Sequence, residues 1–443
     1  MDTNIIQSKA LDLFLKRGEE VEHFWKTKSQ IHIQRILATG KLIDGDPEYL
    51  ETLVSTNNKT DFDLYNLYKF YSSHPQKRNY YKNGISNKKI INQVEKQKQV
   101  KKIAVFLPHA AWTGGVKMIF KLGDMLSEKG YDIDYFIPYN TTLEEHQLKI
   151  GPITKKVLTY DSDESISLFA ADYEVAFATH WDLIFPLYRH FKKAVFYSQG
   201  DYDTFSNDPQ KINKLKLFYS LPVFHMGVSS FISHLMENNY GRKAWIVPNG
   251  VNKQKFNYNP DSNKEDYLLV IGDSTNIFKN TKETIDNLIP IAEKHNMRIK
   301  WVTPNPGEYS HHLVDTIVNP EQNDLVRIIQ LAEVYINGSL IEAFSLPPLE
   351  AMSCGTPVVA SNNLGIQQYA VDNKNAMLFN FKNYDLMRKQ VEQILTDKPT
   401  RKKLIENGLK TADLYEDEKI NKDNFELIEN EFIKNTYVIS KPI

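Results

Sequence analysis

The sequence predicts an α/β protein: two Rossmann-like domains facing a cleft, preceded by a helical extension. Three observations predict it. Apolar runs of strand length stand at 103–107 and 267–271, as in strands buried on both faces of a parallel sheet. Each run leads through a glycine-bearing turn into a segment with helical spacing, and the alternation continues in two successive series. The length of 443 residues is enough for about three folding units at roughly 150 residues each.

Taken in order, residues 4–72 read as helical, with Leu11, Phe14, Val21, Phe24 and Trp25 spaced along one face. This extension would pack on the larger body or on a protein partner. Residues 77–102 hold nine Lys or Arg against one acid, Glu95. That composition suits a solvated linker or a surface that meets anionic lipid headgroups. The first α/β series starts with the strand at 103–107, the Gly114-Gly115 turn and a helix carrying Val116, Ile119, Phe120, Leu122 and Leu126 up to Gly130. Strands follow at 131–137, 174–178, 194–197, 224–228 and 245–248. The second series has strands at 267–272, 298–303, 334–336 and 357–360 and helices at 281–295, 321–333 and 345–353. A last helix is expected at 423–433. The expected division is 1–100 for the extension and basic linker, 101–255 and 256–420 for the two Rossmann-like domains, and 421–443 for a C-terminal helix packing back on the first of them.

Composition narrows the function classes. Lys plus Arg is 54 and Asp plus Glu is 55, a balance that argues against nucleic acid as a partner. The single cysteine, Cys354, cannot form an intrachain disulfide. The first ten residues do not read as a signal peptide, and no window approaches the ~18 apolar residues of a membrane span. A cytoplasmic protein is expected, with the basic segment suited to the inner face of the membrane.

The richest stretch is Glu342-Ala343-Phe344-Ser345-Leu346-Pro347-Pro348-Leu349-Glu350, continued by Ala351-Met352-Ser353-Cys354-Gly355-Thr356-Pro357-Val358-Val359. Ser345 can cap a helix that begins with two prolines, and Gly355 can end it. Glu342 then lies in the preceding loop and Glu350 inside the helix. Free N–H groups near Phe344, Ser345 and Leu346 would form an anion site at the helix start. A ligand with both phosphate and hydroxyls, such as a nucleotide sugar, satisfies the anion site and the carboxylates together.

With its proline start and Ala-Met-Ser-Cys-Gly-Thr-Pro-Val-Val continuation, this stretch resembles the E-x7-E region of retaining GT-B glycosyltransferases of family 4 (group 1, glycogen-synthase-like). The resemblance runs from about residue 102 to the C-terminus. It implies that Glu350 accepts hydrogen bonds from the nucleotide ribose and that Glu342 contacts the donor sugar. Thr113-Gly114-Gly115-Val116 matches the family's glycine turn, where backbone approaches the donor phosphate and sugar. Lys279 resembles the lysine that neutralises the diphosphate, His180 lies where the family often has a histidine facing the acceptor, and Asn249-Gly250-Val251 matches an interdomain turn. The implied activity is transfer of a sugar, with retention, from a nucleotide-sugar donor to a glycan, glycolipid, lipid-linked oligosaccharide or cell-surface polysaccharide. The donor is a co-substrate, with UDP the favoured nucleotide, and no cofactor is expected.

Two positions depart from the family pattern. Asp273 stands where an arginine commonly pairs with the lysine on the diphosphate, and Gln368 where a glutamate is common. Two other readings therefore stay open: a non-catalytic nucleotide-sugar-binding subunit that activates a partner, and a sugar-nucleotide epimerase. The D-x-D triplets at 132–134, 161–163 and 201–203 lack the context of metal-dependent transferases, so no metal is expected. Neither paired cysteines nor H-E-x-x-H, G-x-G-x-x-G or P-loop patterns occur, which removes the usual supports for zinc, NAD and ATP hydrolysis.

Overall fold

The computed structural model describes residues 101–109, 114–138, 157–160, 162–200, 209–305 and 307–435. The expected helices at 4–72, the basic segment up to residue 100, and Thr113, Asp161, Asp201 and Asp203 lie outside the described residues.

The first domain begins with β1 (Lys102–Phe106), α1 (Gly114–Glu128), β2 (Asp132–Pro138), β3 (Val157–Tyr160) and α2 (Asp163–Phe169). It continues with β4 (Val175–Ala178), α3 (Ile184–His190), β5 (Ala194–Ser198), α4 (Pro209–Tyr219), β6 (Phe224–Gly227), α5 (Ser230–Tyr240) and β7 (Ala244–Ile246). All strand pairs are parallel, in the order β3-β2-β1-β4-β5-β6-β7. Ile103 and Val105 join the core under α1, while Ala104 and Phe106 face the second core, with Phe106 stacked on Phe136 at 4.4 Å. Burial on both faces explains why these strands read as unbroken apolar runs.

The second domain comprises β8 (Glu265–Ile271), α6 (Thr281–Lys294), β9 (Arg298–Thr303), β10 (Val314–Val318), α7 (Gln322–Leu331) and β11 (Ala332–Asn337). Then come α8 (Leu346–Ser353), β12 (Val358–Ser361), β13 (Met377–Phe379), α9 (Tyr384–Thr396) and α10 (Lys398–Leu414). Its sheet is also parallel throughout, in the order β10-β9-β8-β11-β12-β13. In both sheets the strand order reverses once, between β1 and β4 and between β8 and β11. Crevices at the carboxyl ends of such strands are where open α/β sheets hold ligands.

A last helix, α11 (Asp417–Ile428), begins six residues earlier than the sequence spacing predicts and runs on into a π-turn at Glu429–Ile433. The Tyr131 hydroxyl donates to Glu429 at 2.8 Å, Lys121 pairs with Asp417, and Phe432 lies against Phe224 and Trp245. Where the chain returns, Val251 N–H donates to the Tyr415 carbonyl at 2.8 Å and Asp417 N–H to the Val251 carbonyl at 3.0 Å. A Cβ on Gly250 would lie 3.0 Å from that same Tyr415 carbonyl, so this crossing needs glycine. One apolar core runs continuously from β1 and α1 through Phe344 and Leu349 to Phe432.

Candidate active site

Three of the segments leaving the two switch points meet at a cleft of about 1150 Å³ between the domains. From β1 the chain reaches the start of α1, which brings Gly114, Gly115 and Lys117 to one wall. From β8 it turns at Gly272 and reaches Lys279 just ahead of α6, and from β11 it reaches Glu342 and then α8. Lys279, Glu342, Phe344, Leu346 and Glu350 line the opposite wall.

Lys279 and Glu342 form an ion pair with Nζ 2.6 Å from Oε1, and neither is more than one-third exposed. The Glu342 loop is held from behind by Gly365. A Cβ there would lie 2.3 Å from the Glu342 carbonyl oxygen and 2.6 Å from its carbon, so only glycine permits this approach. Glu350 is different. Its carboxyl makes no side-chain hydrogen bond among the described residues, and burial pushes its pKa up to about 7; Lys117 acts in the opposite direction and Asp417 adds to the rise.

The Ser345 expectation needs correction. Ser345 occupies the N-cap position of α8, but its hydroxyl makes no cap bond and is buried without a partner. A capping hydroxyl accepts from the second or third helical N–H, and here those positions are Pro347 and Pro348, which have none. Ser345 is fully buried and absent from the cleft surface, whereas Phe344 and Leu346 reach it. The Ser345 carbonyl instead accepts from the Tyr369 hydroxyl, and Tyr369, Phe344 and Tyr415 pack ring to ring at 5.5–6.1 Å.

His180 follows β4, the other strand flanking the first switch point, with Nδ1 2.5 Å from Asp182 Oδ1. It is not among the residues lining the cleft. Asn249 and Gly250 line the cleft, with the Tyr197 hydroxyl 3.5 Å from Asn249 Oδ1.

Asp273 and Gln368 both have protein partners. Asp273 accepts from the Thr275 N–H at 2.9 Å, the Thr275 hydroxyl at 2.8 Å and the Asn305 amide at 3.0 Å. Burial works to raise its pKa, but these bonds and the Lys279 charge outweigh it and hold the carboxyl below its usual range. Gln368 Oε1 accepts from the Ser230 N–H at 2.7 Å, tying the second domain to the first turn of α5. Among the described residues no group of three His, Cys, Asp or Glu could hold a metal ion, and no helix is long and apolar enough to cross a membrane.

Lys117, Lys121 and Gln199 are among the cleft residues that sequence reasoning missed. Lys117 and Lys121 are one helical turn apart on α1, and a search of the turn after Gly115 for cations would have found them. Gln199, whose amide donates to the Gly115 carbonyl at 3.0 Å, follows directly on β5, a position the strand-end rule singles out.

Comparison with known proteins agrees with this architecture. Residues 311–411 match the family described as glycosyl transferases group 1. The protein EpsD of Bacillus subtilis (strain 168) is 24% identical over 158 residues, covering 34% of this chain and 42% of EpsD. The serotype-specific mannosyltransferase WbdA of Escherichia coli is 33% identical over 87 residues, 20% of this chain and 10% of its own. The chain thus spans less than half the length of these curated relatives. Among solved structures, HepE of Anabaena in complex with UDP-glucose shares the fold with a TM-score of 0.63 and 14% identity, over 74% of this chain and 99% of that one. Residues 311–411 are thus similar to the glycosyl transferases group 1 family, and the two parallel-sheet domains share the GT-B fold of that solved structure.

Proposed function

We propose that the protein transfers a sugar from a nucleotide-sugar donor to a glycan, glycolipid or other cell-surface polysaccharide, with retention of anomeric configuration. The observation that carries this reading is the convergence on one cleft wall of the Lys279–Glu342 pair and Glu350, opposite Gly114 and Gly115. Glu350 would accept from the ribose hydroxyls and Glu342 from the donor sugar, while Lys279 would stabilise charge on the diphosphate as the glycosidic bond breaks. A Cβ on Gly114 would meet nothing within 4 Å, so its own packing does not demand glycine and the space beside it is open for a donor. In the retaining route, a diphosphate oxygen takes the proton of the acceptor hydroxyl, which bonds to the anomeric carbon on the face the diphosphate leaves. The protein then contributes mainly positioning and electrostatic stabilisation.

UDP-glucose bound to HepE supports a UDP-sugar as the first donor class to test. The test is turnover: purified protein, UDP-, GDP- and dTDP-sugars and a panel of glycan and lipid-linked acceptors, assayed with and without EDTA. Transfer that survives chelation supports the reading. Donor isomerised without acceptor would identify an epimerase, and donor binding without turnover a non-catalytic subunit.

A further inference from the structure

We infer that Lys117, from the first domain, supplies a positive charge that holds the donor diphosphate; this rests on the nucleotide-sugar reading above. The argument starts from the charges of the second-domain wall. Its lysine, Lys279, is already engaged by Glu342 at 2.6 Å. Glu350 adds a second carboxyl on that wall. These three side chains carry one cation against two carboxyls, an unsuitable surface for a doubly or triply charged diphosphate. The facing wall can supply further positive charge.

That wall is α1, which presents Gly114 and Gly115, then Lys117, then Lys121 to the cleft. Lys117 and Lys121 are four positions apart and so share one helix face. Lys121 pairs with Asp417 at the start of α11, one turn further from the glycine pair. Lys117 lies one turn closer to the glycine pair, and its charge acts across the cleft on Glu350, favouring the ionised carboxylate. It is therefore within electrostatic reach of the ribose-side carboxyl from the end of α1 that faces the open space beside Gly114. A diphosphate bound there would contact cations from both domains. Donor binding would then draw the domains together by charge as well as by shape.

The test compares ligands that differ in phosphate. Calorimetry would measure whichever of UDP, GDP, dTDP and ADP the unmutated protein binds, together with the matching monophosphate and nucleoside. Lys117→Met should weaken the diphosphate about tenfold, each 1.4 kcal/mol being tenfold. It should leave the nucleoside within about twofold and flatten the salt dependence of diphosphate binding. Lys117→Arg should restore most of the loss. Equal weakening of diphosphate and nucleoside would mean that Lys117 acts only through Glu350 and would overturn the inference, as would an unchanged diphosphate affinity. Failure of the unmutated protein to bind any of the four diphosphates would instead overturn the nucleotide-sugar reading itself.

Discussion

The loop after β11 and the helix that follows it carry acids eight positions apart but treat them in opposite ways. Glu342 has a lysine 2.6 Å away and a backbone locked against Gly365. Glu350 has no hydrogen-bond partner of its own among the described residues, and burial has pushed it up to about pH 7. A carboxyl already matched to a cation is positioned whether or not ligand is present. One left half-buried without a hydrogen-bond partner costs stability, and a ligand that offers hydroxyl donors would recover that cost. In the proposed function the loop supplies geometry and the helix recognition.

Breaking the loop should have the larger effect. Lys279→Met removes the cation expected to act on the developing diphosphate charge and leaves Glu342 without its partner. Loss of one such electrostatic contact typically costs about 10²- to 10³-fold in turnover, and steady-state kinetics should show most of it in kcat.

Glu350→Gln probes the helix and should separate two quantities that usually move together. Donor affinity should fall roughly 10- to 150-fold, because a charged hydrogen-bond acceptor is worth about 1.5–3 kcal/mol. The ligand-free protein should become more stable at pH 8, by on the order of 1–3 kcal/mol, since burying the ionised acid is costly at about 1.4 kcal/mol per pKa unit. Thermal unfolding with and without nucleotide reads both changes. A fall in both would make Glu350 a structural residue.

The same raised pKa, about 7, sets a pH dependence whose sign can be worked out. From the ordinary carboxylate range up to about pH 7 the folded protein binds a proton that the unfolded chain has released. Stability of the ligand-free protein should therefore fall as pH rises through that window. Donor binding should run the other way and strengthen as Glu350 ionises. Unfolding and titration series from pH 5 to 8 would test both slopes, and Glu350→Gln should flatten both.

The smallest effect is expected at the domain contact. Gln368→Ala removes the acceptor of the Ser230 N–H, a neutral bond worth about 0.5–1.5 kcal/mol, so donor KM should rise roughly two- to twelvefold with kcat nearly unchanged. A larger effect on kcat than on KM would move Gln368 from domain closure into the chemistry.

Much of this contrast was legible in the sequence, and the rest was hidden for physical reasons. Strands such as β1 and β8 announced themselves because both faces are buried. β3 did not, since none of its four residues is buried, and α10 buries only Leu404, Gly408, Thr411 and Ala412, too weak an apolar stripe to read. The loop position of Glu342 and the helix position of Glu350 followed from the two prolines. The failure of Ser345 to cap followed from the same prolines, but it becomes apparent only once they are fixed at the second and third helical positions. The partners of Asp273 and Gln368, and the effect of the Lys117 charge on Glu350, arise from residues distant in sequence and could not be read from local pattern.

The central claim is that Glu350 reads the ribose of a nucleotide donor, and binding of 2′-deoxy donor tests it most directly. Calorimetry on the unmutated protein should show the deoxy nucleotide bound much more weakly than the ribonucleotide, with that gap largely closed in Glu350→Gln. Misfolding of the variant would weaken both ligands without closing the gap. Equal affinity of the unmutated protein for ribo and deoxy donors would contradict the account.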